Sequence, residues 1–522
     1  MTPSRPGAAS SGAASGTGAA GARIGLAAVG TSLACFLLTA LLGPSAMQPE
    51  LRGPAGQPPY SLTVHPSPHL VIGLVAAGMI TGTAGLALCW RAVHKGRRFH
   101  PGALMAAGLL VTAAFALMPP VGSADHLNYA AYGRMAVTGH DPYVTRAVDV
   151  PGDPVISEVE EWRRTPSVYG PVATGTQALA SWVGGDSVRL TVFVLSLLNA
   201  LAFALTAWIL YRTAGTAERR LRVALLWTCN PLLLYHLVGG AHNDALAVCP
   251  MVAGLALFAA RRGRPGTVPR SLGAGALIAV GGAIKVPAAL VGGGLAWALA
   301  RDGRAPGGRG AAALRLAALA AGALAVTAAT YAFTGPHTFD QLRRAADQVS
   351  LATPWHLADL LLGRQNRVFI KIGWLALFAV LAVLLARALP RARPAEGAAG
   401  TGVEGERVAA ALVLAWLLAT PYELPWYSGF AWAALALLPW SRFDWVLLAH
   451  TGALSLGYLP ARDPKLIGLP SSLDFLLDVA RPGVIPVMLT VILIAAVRLC
   501  LRRPDPVPAP GPPPRAAAGS PG

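Results

Sequence analysis

Apolar residues along this chain gather in runs near twenty residues long, separated by short polar stretches. The hydrocarbon core of a bilayer takes about 20 helical residues to cross, so each run predicts a spanning α-helix. The runs fall at 24–44, 69–90, 102–120, 187–211, 222–239, 244–260, 311–333, 368–389, 408–420, 427–440, 443–459 and 483–500. A longer run, 271–300, holds Lys285 and Pro287 near its middle. The predicted fold class is an all-α polytopic membrane protein of about 12–14 transmembrane segments.

Basic residues orient the runs, because cytoplasmic loops carry an excess of Lys and Arg. Arg91–His100 (RAVHKGRRFH) is the densest basic loop and is placed inside, with 212–222, 261–270 and 301–310. A single pass through 271–300 would put 301–310 outside. Two short limbs, 271–284 and 286–300, resolve the conflict with a hairpin whose tip lies near Ala283–Pro287. Both termini are then cytoplasmic. Most of the 24 Asp and Glu fall in segments assigned outside, although they took no part in the assignment. That skew points to an extracytoplasmic working face.

Composition supports the membrane reading. Hydrophobic residues make up 54% of the 522 and charged residues 13%, against about 25% charged in an ordinary soluble domain. The net charge of +18 comes as short Arg clusters between apolar runs, not as one basic face, so a nucleic-acid partner is not expected. Cys35, Cys89, Cys229, Cys249 and Cys500 lie in or beside apolar runs without CxxC spacing, which argues against disulfides and zinc. Segments 1–22 and 504–522, rich in Ser, Gly, Ala and Pro, are expected to be disordered cytoplasmic tails around a transmembrane domain at 23–503.

The longest polar segment, 121–186, is an expected structured outer loop. Residues 125–138 predict a helix that Gly139 ends, with Asp125, Tyr129 and Tyr132 on one face. Asp125 reads either as a first-turn acid complementing the helix dipole or as a functional carboxylate among tyrosines. Asp141, in Asp-Pro-Tyr, suits a turn. Glu158–Arg164 predicts an amphipathic helix on the headgroups, and 171–183 is too short to span comfortably. Lys285 is an ionisable residue in an apolar run, hence either functional or a lysine snorkelling to the interface. In Gly239–Asp244, Asn243 or Asp244 could cap the next helix, whose N-terminus is also a ready phosphate site beside His242. Tyr422, Glu423, Trp426 and Tyr427 read as an interfacial aromatic belt or as a sugar-positioning cluster. Trp355 and His356 are weaker candidates of that kind.

The pattern S-x-D-x-x-x-Y-x-x-x-G-R-x(4)-G-x-D-P-Y at Ser123–Tyr143 resembles the first outer loop of GT-C glycosyltransferases. The nearest likeness is to actinobacterial polyprenol-phosphomannose-dependent α-1,6-mannosyltransferases. Pro166–Pro171, Asn230-Pro231, Gly239–Asp244, Ile284–Pro287 and Thr420–Tyr427 match in order. The resemblance implies a GT-C-like bundle that passes a mannosyl or other hexosyl unit from a polyprenyl-phosphate sugar to an extracytoplasmic glycan or lipoglycan. Inversion and an α-1,6 linkage are expected. Asp125 matches the family's catalytic acid, with Asp141 as second choice. Arg134, His242, Asn243, Asp244 and Lys285 are candidates for the donor phosphate, with Arg163 and Arg164 behind them. Tyr129, Tyr132, Tyr143, Tyr169, Glu423, Trp426 and Tyr427 are candidates for the sugar or acceptor. No cofactor is required by this chemistry; Asp125, Asp244 and His242 could hold a divalent metal, but no ligand spacing demands one. The competing classes are a transporter or flippase of lipid or lipid-linked sugar, and a structural subunit of an envelope complex. Clear repeated halves would favour the transporter, and the chain shows none that is convincing.

Overall fold

All regular structure in the described residues is helical, and among them no β-strand forms. The structure is a computed structural model and describes residues 11–259, 267–304, 308–345, 347–391 and 400–502. In chain order the first helices are α1 (Ser11–Leu42), α2 (Pro68–His94), α3 (Pro101–Ala116), α4 (Asp125–Val137) and α5 (Pro171–Gly184). Next come α6 (Val188–Thr213), α7 (Ala217–Val223), α8 (Pro231–Leu233), α9 (Asp244–Phe258) and α10 (Val268–Gly282). Then follow α11 (Leu290–Asp302), α12 (Arg309–Thr334), α13 (His337–Ala345), α14 (Pro354–Leu362) and α15 (Arg367–Ala388). The last are α16 (Gly400–Ala419), α17 (Ser428–Ala436), α18 (Arg442–Gly457), α19 (Pro464–Ile467) and α20 (Ile485–Leu501).

Each run predicted to span is helical, and among the described residues seven helices are long and apolar enough to cross a membrane. These are Ala20–Leu42, Pro68–His94, Val188–Thr213, Ala217–Gly239, Arg309–Thr334, Arg367–Ala388 and Ser471–Leu501. The other predicted spans are shorter helices, or, in α16, a helix that carries Glu404, Glu406 and Arg407 in its first turns. The protein is a multi-pass membrane protein. The first helix starts at Ser11, within the stretch expected to be disordered; residues 1–10 and 504–522 of the two expected tails lie outside the described residues.

Local sequence explains the helix ends. Ser67 precedes Pro68 and its side chain accepts from the Leu70 N–H, and Ser187 does the same for Leu190 at the start of α6. Such caps satisfy amides that a helix start leaves open. The span Ala217–Gly239, buried from Leu221 onward, is interrupted in mid-course. Asn230 caps its second half by accepting from the Leu232 and Leu233 amides, Pro231 takes the first helical position, and Asn230 Nδ2 donates to the Leu226 carbonyl at 3.1 Å. A break at this depth survives because the freed backbone groups find partners inside the protein.

The predicted hairpin is present. Gly281 faces Ala288, while Gly292 faces Ile278 one turn further from the tip, so the limbs run antiparallel. The α10 and α12 backbones come close where a Cβ on Gly275 would sit 2.0 Å from the Leu319 carbonyl oxygen and one on Gly322 2.0 Å from that of Leu272. Small residues at such crossings are how membrane helices pack without a hydrophobic driving force between them. At the opposite end from the site described below, Arg222 binds both oxygens of Asp444 at 2.7 and 2.8 Å, a buried pair that ties α7 to α18. Sequence reading had not singled it out.

One local expectation needs correction. Residues 158–164 do not form an amphipathic helix; a single 3-10 turn at Ile156–Glu158 is followed by irregular chain. Trp162 takes a left-handed φ of 59°, and Glu160 and Glu161 are drawn onto partners in the segment after α18. Residues 171–183 belong to α5, which packs against α4 and α6 and leaves Leu179 and Trp182 exposed.

Candidate active site

Segments assigned to the outer side by their charge converge on one cavity of about 900 Å³. Its wall includes Asp125, Tyr132 and Tyr169 from the loop between α3 and α6, and Lys285 from the hairpin tip. Tyr422, Trp426 and Tyr427 come from the turn after α16, and Tyr458, Arg462 and Arg481 from the chain between α18 and α20.

Helix α4 delivers Asp125 as predicted, ending at Val137 with Gly139 in a left-handed conformation, φ 82°. Asp125 is the first helical residue and not the cap, since Ala124 holds the capping position. Its side chain is 14% exposed and reaches the cavity. Burial pushes its carboxyl up to about 6, which the Lys285 ammonium opposes and the Asp244 carboxylate assists. Tyr129 stands behind it, with Tyr169 donating to the Tyr129 hydroxyl at 3.4 Å. Tyr132 faces the cavity and donates to the Thr165 carbonyl at 2.9 Å.

Lys285 is held in place from two sides. Its Nζ lies 2.7 Å from Asp244 Oδ2 and 4.1 Å from the centre of the Tyr427 ring. Gly170 presses against the same tip: a Cβ there would lie 2.2 Å from the Ala283 carbonyl oxygen, and the Gly170 amide donates to Ile284. Only a residue without a side chain permits this contact, which fixes Tyr169 relative to Lys285.

Several sequence candidates lie elsewhere. Arg134 binds Asp153 at 2.7 Å and Asp186 at 2.6 Å, so its guanidinium is spent on closing the outer loop and not on the cavity. Asp141 is exposed and accepts from the Tyr143 amide, as a turn residue does. Tyr143 is buried with its hydroxyl 2.7 Å from Thr174. Glu423 points into the protein toward His450 Nε2 at 3.4 Å. His242, Asn243 and Asp244 are buried behind the wall; Asp244 meets the cavity through Lys285, and His242 backs it through Ser123 and Trp426. Trp355 donates to the Ala419 carbonyl, and neither it nor His356 lines the cavity. Among the described residues, no group of three or more His, Cys, Asp or Glu could hold a metal.

Other wall residues were missed or undervalued. Arg163 and Arg164 line the cavity, exposed, their guanidinium groups without a protein partner among the described residues. Glu161 lines it too, accepting from the Asp463 amide at 2.5 Å; burial and the nearby Asp125 push it up to about 7. Arg462 binds Glu160 and the Ser45 carbonyl, joining three connections at the cavity end of the bundle. Arg481 is spent on the carbonyls of Gly457, Tyr458 and Pro460. A run of ordinary loop polarity in 458–484 gave no signal that could have found Arg462 and Arg481.

The wall therefore offers two raised carboxyls, Asp125 and Glu161, the cations Lys285, Arg163 and Arg164, and a rim of aromatic rings. That inventory suits a sugar bearing an anionic leaving group.

Comparison with known proteins identifies the family. Residues 27–301, more than half of the chain, match the family model described as alpha-(1->6)-mannopyranosyltransferase, N-terminal domain. Alpha-(1->6)-mannopyranosyltransferase A of Corynebacterium glutamicum is 32% identical over 172 residues, covering 33% of this chain and 34% of that protein. The protein of that name from Mycobacterium tuberculosis is 31% identical over 227 residues, 42% of each chain. Alpha-(1->6)-mannopyranosyltransferase B of C. glutamicum is 26% identical over 396 residues, 69% of this chain and 63% of the relative. The matches thus span less than two thirds of each relative's length. No solved structure matches the chain. The matched region holds Asp125, Gly170, His242 and Lys285 on the framework described above, and the chain belongs to the alpha-(1->6)-mannopyranosyltransferase family.

Proposed function

We propose that the protein transfers a mannosyl unit from a polyprenyl-phosphate sugar to a hydroxyl of a glycan or lipoglycan on the extracytoplasmic face, with both termini in the cytoplasm. The observation that carries this reading is a raised, cavity-facing carboxyl, Asp125, sharing one chamber with Lys285, Arg163 and Arg164.

The acceptor hydroxyl gives its proton to Asp125 as its oxygen attacks the anomeric carbon. The bond from that carbon to the phosphate oxygen breaks, and polyprenyl phosphate departs with the electron pair. Negative charge growing on the phosphate falls to Lys285, Arg163 and Arg164, which are already in place. Side chains supply the positive charge, so no divalent metal is called for. In-line displacement inverts the centre and turns a β-phosphate into an α-glycoside, in keeping with the α-(1→6) products in the relatives' names. The aromatic rings of Tyr132, Tyr169, Trp426 and Tyr427 offer faces for sugar rings.

The test is transfer by purified protein from polyprenyl-phosphate mannose to candidate acceptors, with products read by mass. Asp125→Asn should abolish the new glycosidic bond while leaving the protein folded. Transfer at the normal rate by that variant would overturn the assignment. Movement of lipid-linked sugar across proteoliposomes without a new bond would instead favour a flippase.

A further inference from the structure

Behind the cavity wall lies a file of buried polar groups that the transfer step does not use. His236 Nε2 is 2.8 Å from the Ser455 hydroxyl, and the His236 carbonyl oxygen is 2.6 Å from His242 Nδ1. His242 Nε2 is 3.0 Å from Ser123 Oγ, and Ser123 Oγ accepts from the Asp125 amide at 3.3 Å. Ser123, His236, His242 and Ser455 are each at most 2% exposed.

We propose that Ser123 and His242 are positioning residues for the Asp125 carboxylate, and that His242 is not a ligand of the donor phosphate. The inference rests on the reading of Asp125 as the base.

The direction of each bond follows from its neighbour. A carbonyl oxygen can only accept, so His242 Nδ1 carries the hydrogen. Burial holds the imidazole well below its ordinary pKa, so it is neutral and Nε2 presents a lone pair. Ser123 must then donate to Nε2, and its oxygen is left to accept from the amide of Asp125. Asp125 Oδ2 lies 3.7 Å from Nε2, beyond hydrogen-bond reach, and two acceptors face one another there. The contact turns the carboxylate away from the imidazole and leaves it free for the cavity. Trp426 fixes the ring plane, stacked on His242 at 3.5 Å and 15°. Trp426 lines the cavity and His242 does not, so the indole separates the imidazole from any occupant. The one N–H of His242 is already committed, and a neutral lone pair repels phosphate.

The experiment compares Ser123→Ala, Ser123→Thr, His242→Asn and His242→Gln, with Asp125→Asn in parallel, on purified full-length protein. Loss of a positioning contact should lower kcat on the order of tenfold to a hundredfold, with the donor KM within about twofold of normal. Ser123→Thr keeps the hydroxyl and should recover most of kcat. His242→Gln places an acceptor near the Nε2 position and should exceed His242→Asn, which does not. A purely structural role would depress both His242 variants alike. A raised donor KM with kcat intact in His242→Asn would make His242 a phosphate ligand and overturn the proposal. So would normal kcat in Ser123→Ala. If Asp125→Asn keeps full activity, the reading of the base fails first, and that result is separately visible.

Discussion

Lys285 and Asp244 allow stability and chemistry to be pulled apart. The ammonium sits 2.7 Å from a carboxylate that is fully buried and whose Oδ1 has no hydrogen-bond partner. Removing one member of such a pair leaves a buried charge uncompensated, at a cost of about 3–5 kcal/mol, while removing both often restores most of the loss. Lys285→Met and Asp244→Asn should therefore each lower the thermal midpoint in detergent, and the double variant should recover much of it. The rate tells a different story. Asp125 must be deprotonated to take a proton, so activity falls as pH drops through its pKa of about 6. Lys285 stabilises the charged carboxylate, so its loss raises that pKa and moves the acid limb to higher pH. Asp244 disfavours the charged form, so its loss moves the limb lower. A unit charge felt across about 10 Å at an effective dielectric of about 20 is worth about 1.7 kcal/mol, or a little over one pH unit. The assay is kcat/KM against pH from about 5 to 8 on the residual activity of each single variant. Limbs that stay put, or that move the same way in both, would refute the assignment of Asp125 as the titrating base.

Three further outcomes follow from the geometry. Arg134→Met should cost about 1–3 kcal/mol in stability, mainly through Asp153, which is 11% exposed, and should leave the donor KM unchanged; a raised KM would return Arg134 to the site. Gly170→Ala forces a Cβ onto the Ala283 carbonyl and should separate Tyr169 from Lys285, costing about 1–3 kcal/mol with a loss of kcat; a neutral result would mean that the hairpin tip yields freely. For sidedness, single cysteines at His140 and Arg304, both exposed, should label from outside at position 140 only in a background free of the native cysteines. Label at position 304 only would invert the topology. Ser167, which its place in the outer loop suggests as a labelling site, is buried and unsuitable.

Much of the architecture was legible because a bilayer makes hydrophobic length a direct readout of helix position. The hairpin around Lys285 was found by charge alternation alone, since one pass would have put 301–310 on the wrong side. Asp125 could be placed because the spacing to Tyr132 and the stop at Gly139 depend only on local geometry. Arg134 shows where that reasoning ends. Its motif context said nothing about Asp153 and Asp186, which reach it only after the loop has folded back. His242 and Asp244 were candidates for the donor phosphate, yet their burial behind Trp426 and Lys285 is a packing fact that no local pattern encodes. Arg462 was missed for the same reason, its partners being far away in the chain.

Arg462 also bears on which parts of this chain can be exchanged. By holding Glu160 and the Ser45 carbonyl at once, it makes the connections α1–α2, α3–α6 and α18–α20 into one clasp. Chimaeras that import a single outer connection from a relative would bring mismatched halves of that clasp and should express poorly. Exchange of all three together should be tolerated. The three connections would then have to change as a coordinated set, not one loop at a time.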